Sequence, residues 1–304
     1  MTQPILSICI PTYNRAQYLV RTLDSICSQK RFQESNDVEI VISDNGSTDN
    51  TQEVCLSAMF RYPEKIYYSK MDKTTERGED NYLEVLSVAT GKFMKLHNDN
   101  FLIVNGGLDR IVNMIETCLL QKTLPVVFFA NNPDSSMPSA TSCGTFDFFI
   151  ANISYHCTWI GGFGIWKSDF DILKDTFLKE REKRLIQVDL LIRMTNNNTP
   201  RRIISWNEFL FPCMEVVGKS GWNIAEVFGH NYLSIIKPAL ISSDVYQEEK
   251  KKVLLEMIIP YYFNLDGKHN FKRDGFFKHL TEYLNDDYFY EEIEKLLEKN
   301  IYAK

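Results

Sequence analysis

Three short polar runs in this 304-residue chain carry residue types suited to binding a nucleotide, a phosphate or a metal ion. They are Pro11-Thr12-Tyr13-Asn14-Arg15, Ser43-Asp44-Asn45-Gly46-Ser47-Thr48-Asp49, and Asn98-Asp99-Asn100. A carboxylate such as Asp44 at the end of a strand can accept a base N–H, and Gly46 lets backbone approach a ligand closely. Ordinary turns use the same residues, Asn-Gly above all, so turn and binding site both stay open on these runs alone. Asp99 and its flanking amides offer the oxygen ligands that Mg or Mn prefers. Farther along, Asp189 stands four residues before Arg193 in a helical pattern, a spacing that serves a general base and a surface ion pair equally well. Gly161-Gly162 and Lys219-Ser220-Gly221-Trp222 are small, flexible stretches beside aromatic residues, and Arg77 and Arg201 are further candidates to face an anion.

Regular elements must bring these runs together. Residues 6–11 form an apolar, β-branched strand pattern closed by Pro11, and 18–29 places Leu19, Leu23, Ile26 and Cys27 at helical spacing. The alternation continues with a strand over 38–43, a helix over 51–60, a strand over 65–69, a helix over 80–89 and a strand over 92–97. A helix over 108–120 and a strand over 125–130 follow. Nearly continuous apolar strands in a β-α-β order predict a doubly wound α/β fold with a parallel sheet covered on both faces. In such sheets the ligand crevice lies beyond the carboxyl ends of the strands, so the runs at 11–15, 44–49 and 98–100 converge. Residues 131–145 read as a long loop, 159–166 as a strand, 186–195 as a helix and 202–217 as strand-like. From 244 to 304 helical periodicity dominates.

Composition excludes several classes. A formal net charge of −6 and the lack of a long Lys/Arg block argue against a nucleic-acid binder. Seven dispersed cysteines without a Cys-x-x-Cys pair read as reduced core residues. The first eleven residues lack a basic region and a long apolar run, and 253–265 is too short and too interrupted to cross a bilayer. The expectation is a cytoplasmic protein. The aromatic, lysine-bearing C-terminal stretch reads as a packed helical cap, with peripheral contact to the inner face of the membrane or a homo-oligomer contact as the alternatives.

The segments SICIPTYNR and VEIVISDNGSTDNT resemble the two opening signatures of family-2 glycosyltransferases. The similarity continues through Gly78 to Asn81 and through ATGKFMKLHNDNFL, which looks like the family's Gly-x-Tyr, apolar strand and Asp-x-Asp metal motif. The resemblance implies a GT-A fold over 1–237, with a nucleotide-sugar half at 1–130, an acceptor half at 131–237 and a helical C-terminal region at 238–304. It implies that Pro11, Thr12, Tyr13, Arg15, Asp44, Asn45, Asn81 and Asn98 surround the nucleotide, usually a uridine diphosphate, and that Asp99 and Asn100 attend a divalent metal. Here the chain departs from the family: counted from Gly91, asparagines stand where both aspartates usually do. By the same resemblance WIGGFGIW places Gly161 and Gly162 near the acceptor, with Trp222. LIQVDLLIR is similar to the helix that carries the catalytic base; Gln187 occupies the usual aspartate slot and Asp189 is the nearest carboxylate. The implied activity is inverting transfer of a sugar from a nucleotide-sugar to a saccharide or lipid-linked acceptor in surface-polysaccharide assembly, such as capsule or O-antigen. The processive Gln-x-x-Arg-Trp motif is absent, which favours single additions. A catalytically inactive nucleotide-sugar binder and a nucleotidyltransferase are the alternatives, and PTYNR lacks the Gly-rich phosphate loop expected of the latter.

Overall fold

The computed structural model describes residues 3–72, 74–75, 78–132, 138–177, 185–195, 201–216, 220–263, 270–284, 291 and 295. Two compact units interleave along the chain. The first comprises Met1–Gly144, Trp159–Glu180 and Arg193–Glu215; the second comprises Thr145–Thr158, Arg181–Ile192 and Val216–Lys304.

The first unit opens with β1 (Leu6–Thr12), α1 (Ala16–Cys27), α2 (Lys30–Glu34), β2 (Val38–Asp44), α3 (Thr51–Arg61), β3 (Ile66–Lys70), α4 (Gly78–Val88), β4 (Phe93–Leu96), α5 (Gly107–Leu120), β5 (Val126–Phe129) and β6 (Ala140–Cys143). Every residue of β1 and β2 is buried, which is why their sequences run apolar instead of alternating. β3 lies at the sheet edge, and there Tyr67 and Lys70 face outward.

In the second unit, α6 (Phe146–Ile153) is capped by the Thr145 hydroxyl, which accepts from Phe148 N at 3.1 Å. The chain returns to the first unit through a 3₁₀ turn at Ile160–Gly162, β7 (Gly164–Trp166) and α7 (Lys167–Phe177). α8 (Ile186–Thr195) and β8 (Ile203–Trp206) come next. The strand expected over 159–166 is therefore shorter, because 160–162 turns tightly to pack both glycines against rings. The strand expected over 202–217 also ends early: β8 stops at Trp206, matching the four residues of its partner β5. Part of the expected loop at 131–145 is β6, antiparallel to β8.

The main sheet has the order β3-β2-β1-β4-β7, parallel except for β7. The chain moves outward from β1 to β3 and then returns to the other side of β1 with β4. The β1/β4 junction is thus a topological switch point, where open α/β sheets hold ligands. A second sheet, β5-β8-β6, completes the first unit.

The rest of the second unit contains β9 (Ser220–Asn223), α9 (Tyr232–Ile236), α10 (Ser243–Lys252), α11 (Ile259–Tyr262), β10 (Asn270–Lys272) and α12 (Phe276–Leu284). The expected helical tail is thus interrupted by a strand that pairs in parallel with β9. Between α10 and α11 the helix widens to a π turn over Val253–Ile258, just before Pro260, which has no N–H to continue the regular ladder. Residues 285–290 and most of 291–304 lie outside the described set, so the stripe expected at Ile293, Leu296, Leu297 and Ile301 does too.

All seven cysteines are outside disulfides. Six are buried, as expected of core residues, whereas Cys213 is exposed. No helix among the described residues is long and apolar enough to cross a membrane.

Candidate functional site

The carboxyl ends of β1, β2 and β4 meet as expected. Thr12 is paired in register with Asp44 across β1 and β2, and its hydroxyl donates to Asp99 Oδ2 at 2.8 Å. Two runs separated by 87 residues therefore share one hydrogen bond. The Thr22 hydroxyl on α1 donates to Asp99 O at 2.8 Å, so the backbone that presents this carboxylate is held from a helix as well.

The loops after β1 and β2 are stitched to each other. Asn14, at φ 51°, donates its N–H to Ser47 Oγ at 2.8 Å, and its side-chain oxygen accepts from Thr48 N at 2.8 Å. Asparagine tolerates this left-handed conformation better than most residues. Asp49 accepts from Ala16 N at 3.1 Å and from Thr51 N at 3.0 Å, so one carboxylate caps the starts of α1 and α3. Burial raises its pKa, but the hydrogen bonds from Thr51 and Ala16 outweigh that and hold it below the usual carboxylate range.

The sequence candidates differ in exposure. Asp44 is fully buried; its Oδ1 accepts from Ser47 N at 2.8 Å and its Oδ2 from the Tyr68 hydroxyl at 2.9 Å. Burial first, and then this bond to Asp44, pushes the Tyr68 phenol up, so it stays a donor. The Asn45 amide is engaged at both ends, donating to Thr75 O at 3.0 Å and accepting from Thr75 N at 2.9 Å. Asn81 Nδ2 reaches Thr12 O at 3.3 Å and Ser43 O at 3.0 Å, bridging the ends of β1 and β2 from α4. Pro11 is buried, Arg15 is half-buried with its guanidinium 5.7 Å from the Tyr18 ring centroid, and Tyr13 is 43% exposed. Tyr13 is thus the aromatic face these loops present to solvent.

The third run is organised around Asp99. Asn98 Oδ1 accepts from Trp159 Nε1 at 2.9 Å, and Asn100 Nδ2 donates to Met214 O at 2.9 Å. Both amides thus hold neighbouring chain, leaving one carboxylate residue in the run. Among the described residues no group of three or more His, Cys, Asp and Glu could hold a metal ion. This donor set fits a hard divalent cation only when nucleotide phosphates and water complete the shell.

Gly161 and Gly162 are both buried, and close packing explains them. A Cβ on Gly161 would lie 2.6 Å from Asn98 Oδ1, and one on Gly162 would lie 2.4 Å from the Phe128 ring. The glycine pair thus seats the turn against Asn98 and the core. Arg201 donates to Asp169 Oδ2 at 2.6 Å and also to Leu124 O, so its guanidinium braces α7 and is not available to face an anion. Arg77 and Lys219 lie outside the described residues.

Asp189 and Trp222 belong to the second unit. Asp189 is half-buried in the first turn of α8, and Trp222 is half-buried on β9. Gln187 is buried and donates to Thr158 O at 2.6 Å, which gives the usual base slot a structural amide.

Sequence reading did not single out Lys95 or His97. Both are buried on β4 or directly after it. Burial lowers the Lys95 pKa to about 7. His97 is lowered to about 3, by burial first and by the charge of Lys95 second, and its Nε2–H donates to Phe101 O at 3.0 Å. The signal that could have found Lys95 was a lysine in the middle of an apolar strand expected to be covered on both faces.

A 3-2-1-4 parallel order, an antiparallel β7 beside β4, and loops that converge on Thr12, Asp44 and Asp99 define a GT-A glycosyltransferase fold. Solved structures agree at the level of fold. TarS of S. aureus (residues 1–349, in complex with UDP-GlcNAc) superposes with a TM-score of 0.57 at 14% identity, covering 92% of this chain and 80% of that one. The mannosyltransferase PcManGT from Pyrobaculum calidifontis, in complex with GDP-Man and Mn2+, gives 0.50 at 18% identity over 84% and 73%. Residues 7–118 match the model of glycosyl transferase family 2. Among curated relatives, abequosyltransferase RfbV of Salmonella typhimurium is 41% identical over 90 residues, which cover 29% of this chain and 26% of that protein. The chain therefore matches only about a quarter of that relative's length.

Proposed function

We propose that this chain is a glycosyltransferase that moves a sugar from a nucleotide-sugar, a UDP-sugar in the first instance, to a saccharide or lipid-linked saccharide. The setting is surface-polysaccharide assembly, and the transfer is a single, inverting displacement. The observation that supports the reading is the 2.8 Å bond between Thr12 and Asp99 at the switch point, which joins the end of β1 to the metal-type turn after β4. The loop residues Pro11, Thr12, Tyr13 and Arg15 receive the base and ribose. Asp44, Asn45 and Asn81 form the floor beneath them, and Asn98 borders the phosphates. The exposed ring of Tyr13 supplies a stacking face.

Asp99, with Asn100 beside it, would hold a Mn or Mg ion, which when bound supplies positive charge to the diphosphate leaving group. Thr12 and Thr22 fix the Asp99 carboxylate and backbone, so its orientation is set before any ligand arrives. Asp189 is the proposed base that takes the acceptor proton, and Gly161, Gly162 and Trp222 belong to the acceptor side.

The test is calorimetric titration with UDP and GDP, followed by chromatography of UDP-sugars incubated with the protein, with and without manganese. Binding of UDP and slow release of UDP from at least one donor are expected. Binding without release from any donor would leave a nucleotide-sugar binder, and release of pyrophosphate from a nucleoside triphosphate and a sugar phosphate would mark a nucleotidyltransferase.

A further inference from the structure

Lys95 is fully buried in β4, a short way before Asp99 in the sequence, and among the described residues no carboxylate pairs with it. Its ammonium donates to Gly161 O at 2.7 Å and to Leu96 O at 3.0 Å, and lies 3.9 Å from the Phe211 ring centroid and 5.1 Å from that of Phe129. Burying an ammonium without an ionic partner is costly, and an apolar residue of similar shape often serves a core at least as well. Methionine would fill the same aromatic box. What it could not do is hold the Gly161 carbonyl.

That carbonyl belongs to the turn that walls the Asn98 side of the crevice. The Gly161 α-carbon packs so close that a Cβ would collide with both Asn98 Oδ1 and the Trp159 ring, and Trp159 Nε1 itself donates to Asn98 Oδ1 at 2.9 Å. Asn98 is followed directly by Asp99, whose carboxylate meets Thr12. A continuous set of contacts therefore runs from the buried ammonium to the proposed donor crevice.

We propose that Lys95 is a positioning residue: its ammonium ties the 159–162 turn down onto Asn98, and this fixes the Asn98-Asp99 side of the crevice for the nucleotide diphosphate. The proposal rests on the reading of that crevice as a donor site. Lys95 touches no reacting atom; it acts through Gly161 and Trp159.

Lys95→Met, Trp159→Phe and the double variant test it, with UDP in manganese buffer as the probe. Lys95→Met is expected to melt at or above the parent temperature, yet to bind UDP about tenfold more weakly, a change of about 1.4 kcal/mol. Trp159→Phe keeps the ring and loses the N–H to Asn98, and should weaken UDP binding in the same direction. Because both act on one turn, the double variant should bind no worse than the weaker single variant by more than about a factor of two. Undiminished UDP affinity in Lys95→Met overturns the proposal, as do effects that simply multiply in the double variant. An unfolded Lys95→Met also overturns it, because the lysine would then be a structural requirement. If the parent binds no UDP at all, the donor reading itself fails; if the parent binds and Lys95→Met binds equally, only the role of Lys95 does.

Discussion

The main sheet holds buried carboxylates at both ends, and the two ends treat them differently. At the amino-terminal edge Glu39 accepts from the Ser7 hydroxyl at 2.6 Å, Thr90 N at 2.7 Å, the Thr90 hydroxyl at 2.9 Å and Gly91 N at 3.1 Å. Four donors on three residues of β1 and the turn before β4 close around one side chain. At the carboxyl edge Asp44 is buried with one donor on each oxygen, and Asp99, bonded to the Thr12 hydroxyl, is only half-buried. A carboxylate closed in by four donors locks strands together, whereas a half-buried one at a switch point stays within reach of solvent. Polar residues in a sheet thus differ in meaning according to how completely the protein already answers them.

The sharpest way to break this contrast lies at Gly91. A Cβ there would stand 2.5 Å from Ser7 Oγ and 2.7 Å from Ser7 N, so Gly91→Ala must push backbone away from the Glu39 cluster. It should destabilise the fold by about 3 kcal/mol in urea unfolding, while the folded fraction keeps its affinity for UDP. At the opposite edge the effects should be exchanged. Asp99→Asn retains an acceptor for Thr12 but removes the charge, so donor turnover should fall about a hundredfold in a UDP-release assay while stability stays within about 0.5 kcal/mol of the parent. Loss of stability without loss of turnover would place Asp99 with Glu39.

The smallest expected effect concerns the buried charge between these edges. The Lys95 pKa of about 7 in the fold is below its unfolded value, so between the two values the unfolded chain binds more protons and stability rises with pH. The stability difference between Lys95→Met and the parent should therefore narrow by roughly 2 kcal/mol from pH 7 to pH 9, followed by chemical unfolding at each pH. A difference that widens over this window would contradict the assigned charge state.

Much of this was legible in the sequence, for reasons that can be located. β1, β2 and β4 were found because doubly covered strands run apolar, and their terminal polar runs pointed to the switch point without any knowledge of tertiary contacts. Asp49 closes a run that reads equally as turn or binding site, and in the fold it caps the starts of two helices. The segment 159–162 was misread because its bend depends on Asn98, Trp159 and Phe128, which only the folded chain assembles. β6 was hidden for a related cause: Ala140–Cys143 is mostly exposed, and its partner β8 lies some sixty residues downstream, so no local apolar pattern announces it. Lys95 escaped notice since a lysine in KFMKLH can equally direct its amine to solvent at a sheet edge.

Cys213 stands apart from the six enclosed thiols, and it does so at an instructive address. Its backbone bridges Phe101, and its sulfur lies 3.3 Å from the Asn100 amide. A maleimide dye added to the native chain would therefore label one place without any engineering of the other six. That fluorophore would stand on the segment that clasps Asn100, next in sequence to Asp99, turning an incidental surface sulfur into a built-in reporter on whatever changes around that turn.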